Sequence, residues 1–195
     1  MKRVLLLIIV FLSLAFTNKD HAKLTKTHVR VASGSFLQVK GNSNVNSFKC
    51  VYDTNKFQEL IPVHYRVKNN EIEFHKTALV LETKFFDCGS RVINNDFQKL
   101  LKSKEYPKIS LILQEISFLE NEEILNAQVD IKIAGITNTY SMPVQVNKHK
   151  ELHINGDLKL QLSDFQLVAP KKLFGLVVID NEIEIDFKLV VRENR

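Results

Sequence analysis

Residues 181–192 read NEIEIDFKLVVR, and their apolar and polar side chains alternate with a period of two. Successive side chains of a β-strand point to opposite faces of the sheet, so this stretch predicts a strand with one dry and one wet face. The same alternation occurs at residues 128–133 and 157–162. A chain made mostly of such strands must bury its dry faces together, as a sandwich or as a closed barrel. The sequence therefore predicts an all-β domain, and a closed barrel would have an apolar lumen suited to binding.

One helix interrupts the strand pattern. Asn94 or Asn95 can cap its N-terminus, and Tyr106-Pro107 stops it. Its apolar face is predicted from the i, i+3, i+4 spacing of Phe97, Leu100 and Leu101.

Two further segments are less regular. Pro62 argues against a central strand within residues 57–66, because proline has no N–H for a strand ladder. Residues 71–76 and 78–86 read as two successive strands.

The N-terminus has the layout of a secretory signal peptide. Lys2 and Arg3 precede an uncharged apolar run over residues 4–14, and small residues follow at Ala15-Phe16-Thr17. The run is short for a membrane span, although a retained N-terminal anchor is the alternative interpretation. We therefore expect cleavage after residues 1–17, a barrel domain over residues 24–195, and a periplasmic or secreted bacterial protein without a stable transmembrane anchor.

Charge and cysteine content narrow the possible partners. The formal net charge is +5, and the basic residues are scattered and not interleaved with aromatic ones, which argues against nucleic-acid binding.

Cys50 and Cys88 are the only cysteines, and in an exported chain they predict one disulfide. Closing that loop would contribute roughly 3–4 kcal/mol. Two buried free thiols are the alternative.

Catalytic and metal-binding patterns are missing from the sequence. It contains no phosphate-binding glycine loop, no Gly-x-Ser-x-Gly elbow and no His-Glu-x-x-His helix. His149 and His153 are too few for a zinc site. Glu182, Glu184 and Asp186 fall on the wet face of one predicted strand. We therefore expect no enzyme activity, no metal and no cofactor.

Five segments, in order, resemble the YceI-like family of exported bacterial proteins. They are GNSNVNSF at residues 41–48, SRVINNDFQKLLKSKEYPKI at 90–109, IKIAGITNTYSMPVQV at 131–146, GDLKLQLSDFQL at 156–167 and DNEIEIDFKLV at 180–190. In the fourth segment Gln166 stands where the family usually has glycine. The resemblance covers about residues 30 to 192. It implies an eight-stranded, lipocalin-like antiparallel barrel with a helix packed across it, and binding of a long isoprenoid or fatty chain in the lumen.

The alternating positions then predict the lumen. Our hypothesis is a lipid-binding protein that sequesters or carries a polyisoprenoid, quinone-like or fatty-acid ligand, with a homodimer left open. A structural or stress-related interaction protein with a filled barrel is the alternative, and an enzyme or assembly factor acting on lipid or quinone-linked substrates is the third candidate. The predicted lumen residues are Leu111, Leu113, Val129, Ile131, Ile133, Leu158, Leu160, Leu162, Phe165, Ile183, Ile185 and Phe187.

Overall fold

The computed structural model describes residues 23–118, 124–148, 150–169 and 178–194, so the predicted signal peptide lies outside the described residues. Eleven strands form one sheet in which neighbouring strands run antiparallel. The strands are β1 (Thr25–Val31), β2 (Phe36–Ser43), β3 (Ser47–Tyr52), β4 (Ile61–Lys68), β5 (Glu71–Glu82), β6 (Phe86–Asp87), β7 (Lys108–Phe118), β8 (Ile124–Ile133), β9 (Ile136–Lys148), β10 (Leu152–Gln161) and β11 (Ile179–Asn194). The helix α1 (Arg91–Leu100) follows β6, and short 3-10 turns occupy Thr54–Lys56, Thr83–Phe85 and Leu162–Phe165.

Eight of these strands close into a ring in the order β1-β4-β5-β7-β8-β9-β10-β11, and β11 pairs back with β1. The predicted all-β, lipocalin-like antiparallel barrel is therefore confirmed. Closure removes the exposed sheet edges that would otherwise template aggregation.

Strand β11 joins the two ends of the ring. On one edge it pairs with β10, and on the other edge its last residues pair with β1 while residues 179–188 pair with β2. Strands β1 and β2 therefore follow one another down the same side of β11, and β3 and β6 extend the sheet beyond β2. We call the end where β11 finishes the upper end. The helix lies towards the opposite, lower end, because it follows β6 and precedes the start of β7.

The helix begins earlier than predicted. Ser90 is its N-cap, and the Ser90 hydroxyl accepts a hydrogen bond from the Ile93 N–H at 3.3 Å. The predicted cap at Asn94 or Asn95 is wrong, because Asn94 Oδ1 instead accepts from the Cys88 N–H at 2.6 Å. The predicted apolar face is confirmed, since Phe97, Leu100 and Leu101 all contact the core.

Two strand predictions also need correction. Pro62 lies within β4, a member of the ring, at a point where β4 pairs with β1 but has not yet begun its pairing with β5. One edge of the strand is free there, so the missing proline N–H interrupts no ladder on that side. Residues 71–82 form one strand instead of two, with an irregularity between Glu73 and Thr77 where Lys76 adopts a positive φ of 57°.

Candidate functional site: the barrel lumen

The strand register fixes which side chains face the lumen. Leu158 lies opposite Ile185 and Leu160 opposite Ile183 in the β10–β11 pair, and Ile185 lies opposite Val39 of β2. Directly opposed residues share a face of the sheet, so these side chains all point inward. The alternate residues of the same strands form the outer surface.

The structure brings all of the predicted lumen residues into one hydrophobic cluster. Seven are buried members of it, with Phe165 at 0%, Ile131 at 1% and Leu160 at 2% exposure; they are Val129, Ile131, Ile133, Leu158, Leu160, Leu162 and Phe165. The other five are partly buried and pack against the cluster: Leu111, Leu113, Ile183, Ile185 and Phe187. Most of the predicted set therefore forms packed core, and its contact with a ligand stays a prediction.

The lower end of the barrel has a packed floor. The 3-10 turn at Leu162–Phe165 folds under the end of β10, and the Phe165 ring stacks on Tyr140 with centroids 6.1 Å apart. The Tyr140 hydroxyl donates to Asp164 Oδ2 at 2.7 Å, and Asn138 Nδ2 donates to the Asp164 carbonyl oxygen at 2.7 Å. Burial first, and then this carboxylate, raise the pKa of Tyr140. Through these hydrogen bonds Asp164 connects the 3-10 turn to β9, which is a structural role in a turn.

Aromatic rings and the disulfide complete the floor on the β3 side. The Tyr52 ring lies 5.0 Å from both Phe57 and Phe86, and Phe86 lies 5.2 Å from Phe97 of the helix. Close by, Cys50 of β3 is bonded to Cys88, the residue after β6. The predicted disulfide is present, and both of its residues are buried.

The upper half of the lumen has a different character. Six inward-facing apolar residues on the upper parts of β11, β1 and β4 are partly exposed, and none of the six is among the residues that pack against the core cluster, whereas Val31 of β1 is buried. We call these six residues the upper wall: Val29, Ile61, Val63, Tyr65, Leu189 and Val191. At the rim above it, Val67 is 56% exposed. An apolar inner wall that water reaches, standing above a packed floor, is the arrangement of a cup.

The rim of the cup carries polar groups. Thr27 and Glu193 follow the upper wall towards the mouth, and the Thr27 hydroxyl donates to Glu193 Oε1 at 2.9 Å. The Tyr65 ring contacts Phe74 with centroids 6.2 Å apart. The mouth therefore offers hydrogen-bonding groups directly above an apolar wall.

A glycine in β10 makes room for an aromatic ring on the inner wall. A Cβ at Gly156 would lie 2.8 Å from Phe187 Cζ and 3.2 Å from Val144 Cγ1. Both neighbours are cross-strand partners of Gly156. Glycine at this position therefore fixes where the Phe187 ring lies, and the ring sits between the packed core and the open half.

Two depressions lie on the outer surface of the barrel. One, of about 530 Å³, is bordered largely by polar side chains, among them Glu73, His75 and Asp130, beside the irregularities of β5 and β7. The other, of about 370 Å³, lies over Gly156 and reaches the edges of Val144 and Phe187. Neither contains the upper wall, so we place the candidate site in the lumen on the grounds of register and burial.

The wet faces carry ordinary ion pairs. Lys40 Nζ lies 2.9 Å from Glu184 and 3.2 Å from Asp186, and Lys159 Nζ lies 3.2 Å from Glu182. The Glu184 and Asp186 carboxylates raise the pKa of Lys40, chiefly through its hydrogen bond to Glu184.

Within the described ranges, no three His, Cys, Asp or Glu side chains gather in a way that could hold a metal ion. No helix in the same ranges is long and apolar enough to cross a membrane.

Sequence reasoning did not find the part of the upper wall that lies on β4, although a signal for it exists. Ile61, Val63, Tyr65 and Val67 alternate with polar residues and Pro62 over residues 61–68. The proline masked a regular strand pattern.

The sequence analysis considered two histidines as candidate metal ligands. Of these, His149 lies outside the described residues, and His153 of β10 is partly buried.

Comparisons with known proteins agree with this architecture. A sequence model of the YceI-like domain matches residues 17–191. The crystal structure of Burkholderia cenocepacia BcnA superposes with a TM-score of 0.60 at 18% identity, covering 83% of this chain and 99% of that one. A polyisoprenoid binding domain from Saccharophagus degradans, implicated in plant cell wall breakdown, gives a TM-score of 0.59 at 15% identity over 88% of this chain and 100% of that one. A Campylobacter jejuni YCEI protein gives 0.52 at 16% identity, over 63% and 74%. No protein of curated function matches at a significant level.

Proposed function

Since the chain belongs to the YceI-like family, we propose that it is an exported binding protein that holds a long apolar chain in its barrel lumen. The ligand class is polyisoprenoid-like, quinone-like or fatty, and the task is sequestration or transport. The observation that carries the proposal is the upper wall, an apolar inner surface left partly exposed above a packed floor. The description of the Saccharophagus degradans domain as polyisoprenoid binding supports the choice of ligand class.

Burial of the tail supplies the affinity. Each methylene removed from water contributes about 0.8 kcal/mol, so ten contribute about 8 kcal/mol. Association itself costs roughly 4–15 kcal/mol in lost freedom of motion. Short chains therefore bind weakly, and we expect affinity to rise with chain length until the upper half of the lumen is full.

The rim selects the head group, and the barrel acts without catalysis. Thr27 and Glu193 offer hydrogen-bonding groups at the mouth. A hydroxyl, carbonyl or amide head can bond there, whereas a free carboxylate meets the Glu193 charge. We therefore favour a neutral head group such as a prenyl alcohol or a quinone.

Export fits the rest of the chain. We place the signal peptide at residues 1–17, the barrel domain at residues 24–195, and the mature protein in the periplasm or outside the cell. The Cys50–Cys88 disulfide supports this placement, because such bonds persist in oxidising compartments.

Native mass spectrometry of the exported protein, purified without detergent, tests the proposal. We expect added mass that solvent extraction identifies as one prenyl, quinone or acyl species. A clean apo mass, unchanged after incubation with a series of prenyl alcohols and fatty acids of increasing length, would refute lumen binding.

A pair of variants links binding to the upper wall. Leu189→Arg places a charge on the inner face, and we expect it to abolish retention, because an unpaired charge in an apolar site is costly. Gln145→Arg is the matched control, since Gln145 is exposed on the outer face of β9. Both variants must give the same circular dichroism spectrum as the parent. Equal ligand retention by both would remove the upper wall from the site.

A solid structural barrel is the second candidate, and the floor is the observation that favours it. Seven predicted lumen residues are already buried against one another in the lower half. If ligand is absent and the upper wall tolerates charges, this candidate replaces the first and the outer surface becomes the functional one.

A further inference from the structure

The outer face of the upper wall is cationic. On β1 the outward positions are Lys26, His28 and Arg30, and on β4 they include His64 and Arg66. Register places Lys26 directly opposite His64, so the two rows form one surface. We call these five residues the cationic face. Neighbouring strands lie about 4.8 Å apart and alternate residues about 6.7 Å apart, so the charges form a dense, flat array.

Nearby carboxylates neutralise one part of the cationic face and leave the other part without ion pairs. Glu73 is bound by Lys68 and lies directly opposite Arg66 in the β4–β5 register, and Glu151 is bound by Arg192. In the part of the chain that the structure describes, no ion pair reaches Lys26 or Arg30.

The strand pairing brings two like charges together, and an anionic partner would reduce the repulsion between them. Arg30 lies directly opposite Arg192 in the β1–β11 register, and both side chains point outward. Like charges directly opposite one another destabilise a sheet. Glu151 compensates Arg192 alone, so Arg30 faces a cation without a counter-charge of its own.

The chemistry of this face fits a lipid surface better than a nucleic acid. The outward positions of β1 and β4 carry no Phe, Tyr or Trp, the large rings on which single-stranded bases mostly stack. The other side of the same two strands is the upper wall of the lumen. Beside Arg66, the apolar Val67 stands exposed at the rim.

We propose that the cationic face docks the barrel on an anionic lipid surface, with the mouth at the membrane so that an apolar chain passes between the bilayer and the lumen. This step rests on the proposed lipid-carrier function, because it supplies the place where cargo is loaded or delivered. Phosphate head groups are the partner chemistry, and Lys26 and Arg30 supply the permanent charges. The face escapes sequence inspection because its two rows come from residues 26–30 and 64–66, which only the β1–β4 pairing brings together.

Vesicle co-sedimentation tests the docking. The protein is isolated after export, and its mass is checked for loss of residues 1–17, whose apolar run would itself enter vesicles. We expect binding to phosphatidylcholine vesicles containing about one third phosphatidylglycerol, weak binding to phosphatidylcholine alone, and loss of binding as salt rises from about 0.05 to 0.5 M.

Charge-neutralising variants locate the contact. Each cation near an anionic surface strengthens binding about fivefold, so the double variant Lys26→Gln/Arg30→Gln should bind about 30-fold more weakly. The matched control is Lys49→Gln/Lys132→Gln, which removes the same charge from exposed positions on β3 and β8; it should bind within about twofold of the parent. Circular dichroism confirms that both variants fold.

Three outcomes overturn the proposal: equal binding to neutral vesicles, equal loss in the two double variants, or tighter binding of the cationic face to a single-stranded oligonucleotide than to anionic vesicles. Failure here is distinct from failure of the carrier function. If the protein carries lipid in native mass spectrometry but does not bind anionic vesicles, the carrier proposal stands and the docking proposal is refuted.

Discussion

Removing the disulfide should destabilise the barrel by an amount that the structure sets. Cys50 and Cys88 are 38 residues apart and both are buried in the floor. The double variant Cys50→Ala/Cys88→Ala frees a loop that contains β4, β5 and β6. In the chain-entropy relation a closed loop of that length restricts the unfolded chain by about 13 cal/mol/K, or about 3.9 kcal/mol at 25 °C. For a domain of this size that corresponds to a fall in Tm of roughly 8–16 °C.

The assay is urea unfolding followed by far-ultraviolet circular dichroism, since the sequence has no tryptophan. The parent protein reduced by a phosphine serves as the control, because it has lost the crosslink but kept both sulfur atoms. The difference between the reduced parent and the alanine variant then measures the packing of the sulfurs alone. Ligand retention should persist in both, since the disulfide lies in the floor and the upper wall lies at the other end.

If the free energy of unfolding falls by less than about 1 kcal/mol, the reasoning is refuted, because the unfolded chain would then already be restricted at these residues. Loss of ligand from a reduced protein that is still folded would contradict the division between floor and upper wall.

Further substitutions probe the floor and inner wall. Gly156→Ala should cost about 1–3 kcal/mol because its Cβ meets the Phe187 ring, and in a Phe187→Leu background the added cost in urea unfolding should fall below about 0.5 kcal/mol. Gln166→Gly should stabilise by about 0.5–1 kcal/mol, since Gln166 has a φ of 52°, and Gln166→Val should do the opposite. Because burial and the Asp164 hydrogen bond raise the pKa of Tyr140 in the fold above its ordinary value of 10.0, the contribution of Tyr140 to stability is complete below about pH 10 and falls as pH rises further. Tyr140→Phe should therefore flatten the alkaline decline in the free energy of unfolding, and an unchanged slope would show that another group titrates.

The fold was predictable because, in the strands of the lower half, alternating apolar and polar residues identify the side that faces inward. Residues 128–133, 157–162 and 181–189 alternate, and the structure places them in β8, β10 and β11 of the ring. The helix start was harder, since Ser90 and Asn94 can both cap a helix and only the position of Cys88 decides between them. That choice depends on a contact with the end of β6, which local sequence does not encode.

The position of the candidate site did not follow from the strongest sequence pattern. Strong alternation of large aliphatic residues marked the best-packed half of the barrel, because the pattern that makes a strand recognisable is the pattern that fills a core. Four of the six upper-wall residues come instead from β1 and β4, where Thr27, Tyr65 and Pro62 weaken the pattern. A partly exposed wall gains less from mutual packing, so its residues are less uniform and its sequence signal is weaker.

The proposed division between a stabilising floor and a ligand-binding wall is tested by a direct comparison of two leucines. Leu160 is 2% exposed in the core cluster, so Leu160→Ala should cost about 2–5 kcal/mol in the free energy of unfolding. Leu189 is only partly buried, so Leu189→Ala should cost about 1 kcal/mol in the empty protein. In ligand binding the order should reverse: Leu189→Ala loses the contact with the tail, whereas Leu160→Ala, measured where it remains folded, keeps near-parental affinity. Urea unfolding and titration with a long prenyl alcohol give both quantities for each variant. If the two leucines rank in the same order in both measurements, floor and wall are one continuous core and the cup does not exist.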